Sequence, residues 1–316
     1  MAAPSTYATA TQLFLADLAR NLYASNQCLT YSRNWNSSAK NKTVNWNQSG
    51  AKADVIIDRD STALTVGSRP DVLRNYDLHE FQTKPIRIDW TEEMIINYSK
   101  RQDVINDHME GLLNDIALFI LYRWALGAKT KNRTTGADVA AADRITNGTG
   151  TRKKLTLADI LKLRTVMNKD NVPDDLRRVL VVTPDMEADI LEIQNVLDSA
   201  IIGSTNALVD GAIVRIYGFN VFMRSQLPFF DNSANAMVQP KDFDTFTATA
   251  STADSCNVAI AWHPQFVTRA IAPESLVTIK DEHGGKEFSA TMIAGGDKYY
   301  SDGRGIAIIA EGYTAP

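Results

Sequence analysis

Histidine and cysteine are the side chains best suited to proton transfer, nucleophilic attack or metal ligation near neutral pH. This chain has few of them: His79, His108, His263, His283, Cys28 and Cys256. Their spacing assembles no familiar chemistry. No CxxC pair or Cys/His cluster offers a zinc site, and the two cysteines lie far apart in a chain that does not read as a disulfide scaffold. The phosphate cradle GxxxxGK[ST], the nucleophile elbow GxSxG, the dinucleotide fingerprint GxGxxG and the zinc motif HExxH are all absent. Asp281, Glu282 and His283 form a short acidic-histidine run, and the glycines Gly284 and Gly285 after it read as a solvated hairpin tip. His79-Glu80 reads as surface beside a strand and His108 as a helix-face residue. The carboxylate pairs Asp174-Asp175 and Glu92-Glu93 fit turns and helix N-termini, where negative charge is favoured. The sequence therefore assigns no catalytic, cofactor-binding or metal-ligating residue, and no cofactor.

Charge is the other chemistry within reach. Between residues 129 and 154, Lys129, Lys131, Arg133, Arg144, Arg152, Lys153 and Lys154 are set against only Asp138 and Asp143, and Gly136, Gly148 and Gly150 break the segment. It reads as a mobile basic loop. Its plain reading is a solvated connection; its sharper reading is a polyanion contact through Lys129, Lys131, Arg133, Arg152, Lys153 and Lys154. The whole chain is no nucleic-acid clamp, because clamps replace counterions with Lys and Arg whereas these 316 residues carry a formal net charge of −4. With 22% charged and 44% hydrophobic residues, the chain has the composition of a soluble globular protein with one or two cores. No run approaches the ~18 apolar residues of a membrane span, and the opening MAAPSTYATATQ lacks the features of a signal peptide. A reducing cytoplasm suits the two isolated cysteines.

The elements that carry these residues are unusual. Residues 1–50 read as a terminal arm, with Leu13, Phe14, Leu18 and Leu22 striping one short amphipathic helix. An Asn- and Ser-rich stretch follows, in which Trp35 and Trp46 need something to bury them, on this chain or on a neighbour. Residues 51–90 read as a hairpin-like excursion, from Val55-Ile56-Ile57 to the alternating Ile86-Arg87-Ile88-Asp89-Trp90. A lone two-stranded ribbon is marginal in water, and Pro85 restricts the second strand to an edge. Its expected support is another subunit. Thr91 then caps a helix in which Met94, Tyr98, Ile105, Met109, Leu112, Leu113, Ile116 and Ile120 recur at helical spacing until Gly127. Spanning 92–126, it would be about 50 Å long. After the basic segment, a helix opening at Thr156 or Leu157, a buried strand at Val179-Leu180-Val181-Val182 and a helix over Asp185–Leu197 indicate an α/β-type lobe.

In the passage Gly211-Ala-Ile-Val-Arg-Ile-Tyr-Gly-Phe-Asn-Val-Phe-Met-Arg-Ser-Gln-Leu-Pro228, Val214 and Ile216 read as one strand, Gly218 as a bend, and Val221 and Met223 as a second strand. This passage resembles a strand-turn-strand of tailed-phage major capsid proteins of the Hong Kong 97 type. The stretch Ala259-Ile-Ala-Trp-His-Pro-Gln-Phe-Val-Thr-Arg-Ala270 resembles that family's returning strand, and Gly303-Arg-Gly-Ile-Ala-Ile-Ile309 its closing strand. The order of parts is similar along nearly the whole chain.

The resemblance implies an α+β Hong Kong 97-type phage capsid fold with an N-terminal arm (1–50), extended loop (51–90), spine helix and basic loop of a peripheral domain (91–154), axial domain (155–258) and return strands completing the peripheral domain (259–316). It implies a structural, non-enzymatic protein that assembles into hexamers and pentamers of an icosahedral head shell around double-stranded DNA. Contacts between subunits would then fall to Leu13, Phe14, Leu18, Leu22, Trp35, Trp46, Arg69, Arg74 and Phe81. Separate scaffolding, portal and decoration proteins are the implied further partners, with weak non-specific DNA contact and no membrane. The expected location is the virion, assembled in the host bacterial cytoplasm. No long charged helical segment stands ahead of the arm, so a fused scaffolding region is not expected, and no Lys/Asn/Glu set marks covalent cross-linking. Two alternatives share much of the pattern: an encapsulin-like nanocompartment shell, and a cytosolic α/β enzyme whose excursion serves as a lid.

Overall fold

The structure, a computed structural model, describes residues 25–37, 42–50, 57–58, 71–89, 100–192, 215–242, 247–272, 276–282 and 285–315. The expected arm helix with Leu13, Phe14, Leu18 and Leu22, the strand residues Val55 and Ile56, Arg69, and the Thr91–Tyr98 start of the long helix lie outside them.

Alternation of side chains builds the N-terminal ribbon. After the short strand β1 (Arg33–Asn34), β2 (Thr43–Gln48) and β3 (Val72–Asp77) pair antiparallel, from Thr43 opposite Asp77 to Gln48 opposite Val72. Val44 and Tyr76 are buried, while Asn45, Asn47 and Asn75 on the opposite face are exposed, as period two requires. The ribbon therefore starts at Thr43, earlier than the expected 51, and closes at Asp77. Its first strand escapes a sequence reading because only Val44 and Trp46 mark a buried face within TVNWNQ. Ile86–Asp89 is not its second strand. Instead, β4 (His79–Gln82) and β5 (Ile86–Asp89) lie end to end along one edge of the long strand Gly285–Lys298. An edge is where Pro85 can sit without leaving a ladder acceptor unpaired.

Helix α1 (Lys100–Leu126) has 27 residues, about 40 Å at 1.5 Å per residue. Leu112, Ile116, Ile120 and Trp124 form its buried stripe, while Leu113, expected in that stripe, is exposed. Residues 129–154 then depart from the expected mobile loop: they form strands β6 (Thr130–Arg133), β7 (Asp138–Ala140) and β8 (Thr151–Lys153). Helix α2 (Leu157–Lys169) begins where expected, because Thr156 accepts from the Asp159 amide while the Asp159 carboxylate accepts from Thr156 N–H, a capping box. Strand β9 (Arg178–Val182) and helix α3 (Pro184–Glu192) follow. Strands β10 (Arg215–Ile216) and β11 (Phe219–Met223) make a hairpin whose two turn residues, Tyr217 at φ 45° and Gly218 at φ 84°, give the left-handed turn that suits strand twist.

Five two-residue strands, β12 (Phe230–Asp231), β13 (Ala236–Met237), β14 (Lys241–Asp242), β15 (Thr247–Ala248) and β16 (Ser255–Cys256), lead into the C-terminal part. That part contains β17 (Val258–Trp262), β18 (Val267–Ile271), β19 (Leu276–Glu282), β20 (Gly285–Lys298), β21 (Ile306–Ala310) and β22 (Tyr313–Thr314). Glu282 pairs with Gly285, so the flanks of the Asp281-Glu282-His283 run form a hairpin.

One six-stranded sheet, ordered β10-β11-β9-β17-β21-β6, organises the core. Its central strands are continuous apolar runs because both faces are covered. Val179, Val181, Ile260, Trp262 and Ile308 face α1, whereas Leu180, Val182, Ala259, Ala261 and Ile309 face α2 and α3. The expected boundary at 258/259 thus runs through the middle of a sheet. The second six-stranded sheet is centred on β20, with β18 and β19 along one side and β4 and β5 along the other. Gly296 lets α1 approach it: a Cβ there would stand 2.8 Å from the Thr268 carbonyl and 3.0 Å from Ile120.

Candidate functional site

The ribbon is fastened to the body at its base. Trp46 stacks on Tyr299 with ring centroids 6.0 Å apart and planes at 17°, and its Nε1 donates to the Tyr299 carbonyl at 3.2 Å. Trp35 packs on Trp46 at 5.3 Å, Tyr76 closes the cluster at 5.9 Å, and the Arg33 guanidinium lies 4.0 Å above Tyr299. Gln48 Oε1 accepts from the Ser301 amide at 3.3 Å. Burial pushes the Tyr76 phenol up to about 12, so it stays protonated. The two tryptophans are thus half-buried against their own chain. Beyond this clamp the connection of residues 49–71 begins, with Val72 46% exposed, Leu73 68% and Ile57 83%. Arg74, half-buried on the inner face, has no hydrogen bond at Nε among the described residues.

Phe81 does not belong with these surfaces. It is 7% exposed and packs edge-on against Phe119 of α1 at 5.4 Å, inside the core of its own chain. An excursion running to residue 90 would place it outward, whereas β4 returns to the body at His79.

The basic segment is also corrected. Arg152 is fully buried, donating to the carbonyls of Ser255, Thr149 and Ala253 beneath the Tyr313 ring, and is closed to a polyanion. Lys129 is paired with Asp170, Lys153 with Asp138 at 3.2 Å and Lys154 with Glu192 at 2.5 Å. Lys131 donates to the Asn235 carbonyl, and Arg133 binds Asn232 and covers the Phe230 ring. Most of these partners are distant in sequence, so a local charge count cannot reveal them.

The three described histidines are packed into the fold as well. His263 is fully buried, with Nε2 3.0 Å from an Asp175 oxygen and Nδ1 accepting from the Gln265 amide; burial lowers its pKa, partly offset by Asp175. His108 Nδ1 meets the Thr83 hydroxyl at 2.7 Å, and His79 packs on Phe119. Between α1 and β4 lies a groove of about 960 Å³ whose walls include His79, His108, Leu112 and Phe119. Of the carboxylates Glu80, Asp107 and Asp115 in its walls, Glu80 is paired with Lys42 and Asp115 with Lys241. No group of three metal-ligating side chains occurs among the described residues. Both cysteines are buried and free.

This geometry fits mechanical work: a clamped ribbon, a beam-like helix and a doubly covered sheet. A family model for phage capsid protein matches residues 80–307. No curated protein sequence matches the chain. In fold it is similar to a chain of Mycobacterium phage Che8, with TM-score 0.64, 14% identity, and 94% of this chain and 95% of that one covered. It is similar to the capsid structure of the cyanophage P-SCSP1u, with TM-score 0.65, 13% identity and coverage of 95% and 93%. It is also similar to the mature capsid of bacteriophage PhiM1, with TM-score 0.65, 9% identity and coverage of 94% and 90%. At such identities the likeness speaks for the fold, which is that of Hong Kong 97-type capsids. With the family match running from β4 into β21, the chain belongs to the phage capsid protein family and is a subunit of an icosahedral head shell.

Proposed function

We propose that the subunit closes its shell by reaching across to identical copies, with residues 49–71 laid over one neighbour and the arm of residues 1–24 tied into another. The observation that supports this reading is the ribbon, fixed at Trp46 and Gln48 on the body and carrying exposed Val72 and Leu73 where it leaves. A typical specific contact buries ~800 Å² per partner, and a closed shell repeats it, so modest pairwise terms give a container that hardly dissociates. Arg69 and Arg74 join these contacts, as do Leu13, Phe14, Leu18 and Leu22 of the arm.

The division of labour follows. The arm of residues 1–24 and the connection of residues 49–71 make contacts. Helix α1 with the β20 sheet forms a peripheral part, and the α2–β9–α3–β11 lobe forms the axial part around five- and six-fold positions, in hexamers and pentamers. Separate scaffolding, portal and decoration proteins complete the head, which assembles in the host bacterial cytoplasm. Double-stranded DNA inside is balanced mainly by counterions, since the chain carries a net charge of −4. The partly exposed amines of Lys153 and Lys154 are left for weak contact with it.

Replacing residues 51–70 by a short Gly/Ser linker tests the reading. Val72–Asp77 must stay, because Tyr76 is part of the body's packing. The expected product is a folded, soluble subunit that forms no closed particles in electron micrographs. Normal particles from this variant would overturn the proposal.

A further inference from the structure

Where the chain leaves the six-stranded sheet, one arginine meets three carboxylates. Glu311 follows β21 and its side chain is 1% exposed. Its Oε2 accepts from the Asn257 amide at 3.1 Å, and its backbone N–H donates to the Asn257 carbonyl at 3.1 Å. Its other oxygen, Oε1, has no hydrogen-bond partner among the described residues and lies 3.6 Å from Arg144 Nη1. Arg144 is already taken. Its side chain is 7% exposed, and both terminal nitrogens donate to Asp189 of α3, whose Oδ2 also accepts from the Leu155 amide. Asp185 of α3 accepts from the Asn257 side chain at 3.0 Å and adds its charge to that around Glu311. The Cys256 thiol of β16 is close enough to Glu311 to feel its charge. Near that thiol, Arg133 donates to Asn232 and to the sulfur itself at 3.8 Å, and Arg152 donates to the Ser255 carbonyl. Among the described residues, Arg144 is the one cation within ion-pair distance of Glu311.

We propose that Glu311 is a proton-operated joint: protonated, it lets the C-terminal strand end, Arg144 and α3 close on one another; ionised, it adds a carboxylate that Arg144 cannot match and loosens them. A buried charge without a full set of partners is expensive, and releasing the proton creates one here. Burial pushes this carboxyl up to about 7 from 4.5; the Asn257 amide and Arg144 pull it down, and Asp185 pushes it further up. The folded state therefore holds the proton where the unfolded chain has lost it. The contribution to stability is whole below the ordinary carboxyl range, declines as pH rises, and is gone above about 7. The joint matters because Tyr313, two residues on, pairs with Arg152 of β8, so Glu311 couples the small β7-β8-β22 sheet to the α3 lobe.

Hydrogen exchange of the full-length chain between about pH 5.5 and about pH 8, corrected for intrinsic rates, tests this. The Leu155 and Asn257 amides should lose roughly tenfold or more protection across that range, the equivalent of one unit of pKa. In Glu311→Gln, which stays neutral, their protection should not change. Wild-type protection that ignores pH, or an equal fall in the variant, would overturn the proposal. Should the variant not fold, carbon-13 titration of Glu311 in the wild type decides: a midpoint near neutrality supports the joint, and one in the ordinary carboxylate range refutes it.

Discussion

Trp46 and Tyr299, 253 positions apart in the chain, stack nearly parallel, and the indole nitrogen of the first donates to the carbonyl of the second. The pair joins the N-terminal ribbon to the end of β20, so the ribbon and the body form one mechanical unit.

Removing that pair should free the ribbon without unfolding the lobe. Trp46→Ala is expected to cost about 2 kcal/mol, below the 3–5 kcal/mol of a fully buried tryptophan because Trp46 is half-buried. Limited proteolysis should then cut within 43–77 faster than in the wild type, and the denaturant midpoint should fall without a change of slope.

Gly296 sits where α1 presses on the β20 sheet. Gly296→Ala would drive a Cβ to 2.8 Å from the Thr268 carbonyl, which is backbone and cannot step aside. Overpacking of this kind costs about 1–3 kcal/mol, and thermal unfolding should show the loss.

Replacing the buried Arg152 and the partly exposed Lys154 separates structure from charge in the basic segment. Arg152→Ala removes the guanidinium that donates to the carbonyls of Ser255 and Thr149 and shares that of Ala253 with Thr149, and should destabilise by about 3 kcal/mol. Lys154→Ala should stay within about 0.5 kcal/mol, as exposed pairs do. Equilibrium denaturation checks both.

His263 gives a pH dependence opposite to that of Glu311. Burial lowers its pKa below the ordinary 6.5, so the unfolded chain binds the proton first as pH falls. Its contribution to stability is present above 6.5 and is lost as pH falls through the folded value. Denaturation midpoints at a series of pH values should show this loss in the wild type, and His263→Asn should weaken the dependence.

Regular, apolar elements are legible in the sequence. The β9 run, the α1 stripe and the Thr156 cap follow from periodicity and local hydrogen bonding, and the Gly218 bend from backbone freedom. Capsid-type order emerges from these together with three resembling passages. What stays hidden depends on partners far along the chain. Strand β2 is polar except for Val44 and Trp46, and the cover for Trp46 comes from Tyr299. Arg152, Arg178 and Arg224 look like surface cations, yet each is buried and donates to backbone carbonyls. Phe81 reads outward in the sequence because β4 finds its partner, Thr291 to Ala294, more than two hundred residues later.

Hydrogen exchange of residues 49–71 in free subunits and in assembled particles tests the central claim most directly. Fast exchange in the free subunit and strong protection in the particle are expected if, as proposed, the surface that covers this segment belongs to another copy. Equal protection in both would mean that no neighbouring copy covers the segment, and assembly by reaching across to neighbouring copies would be contradicted.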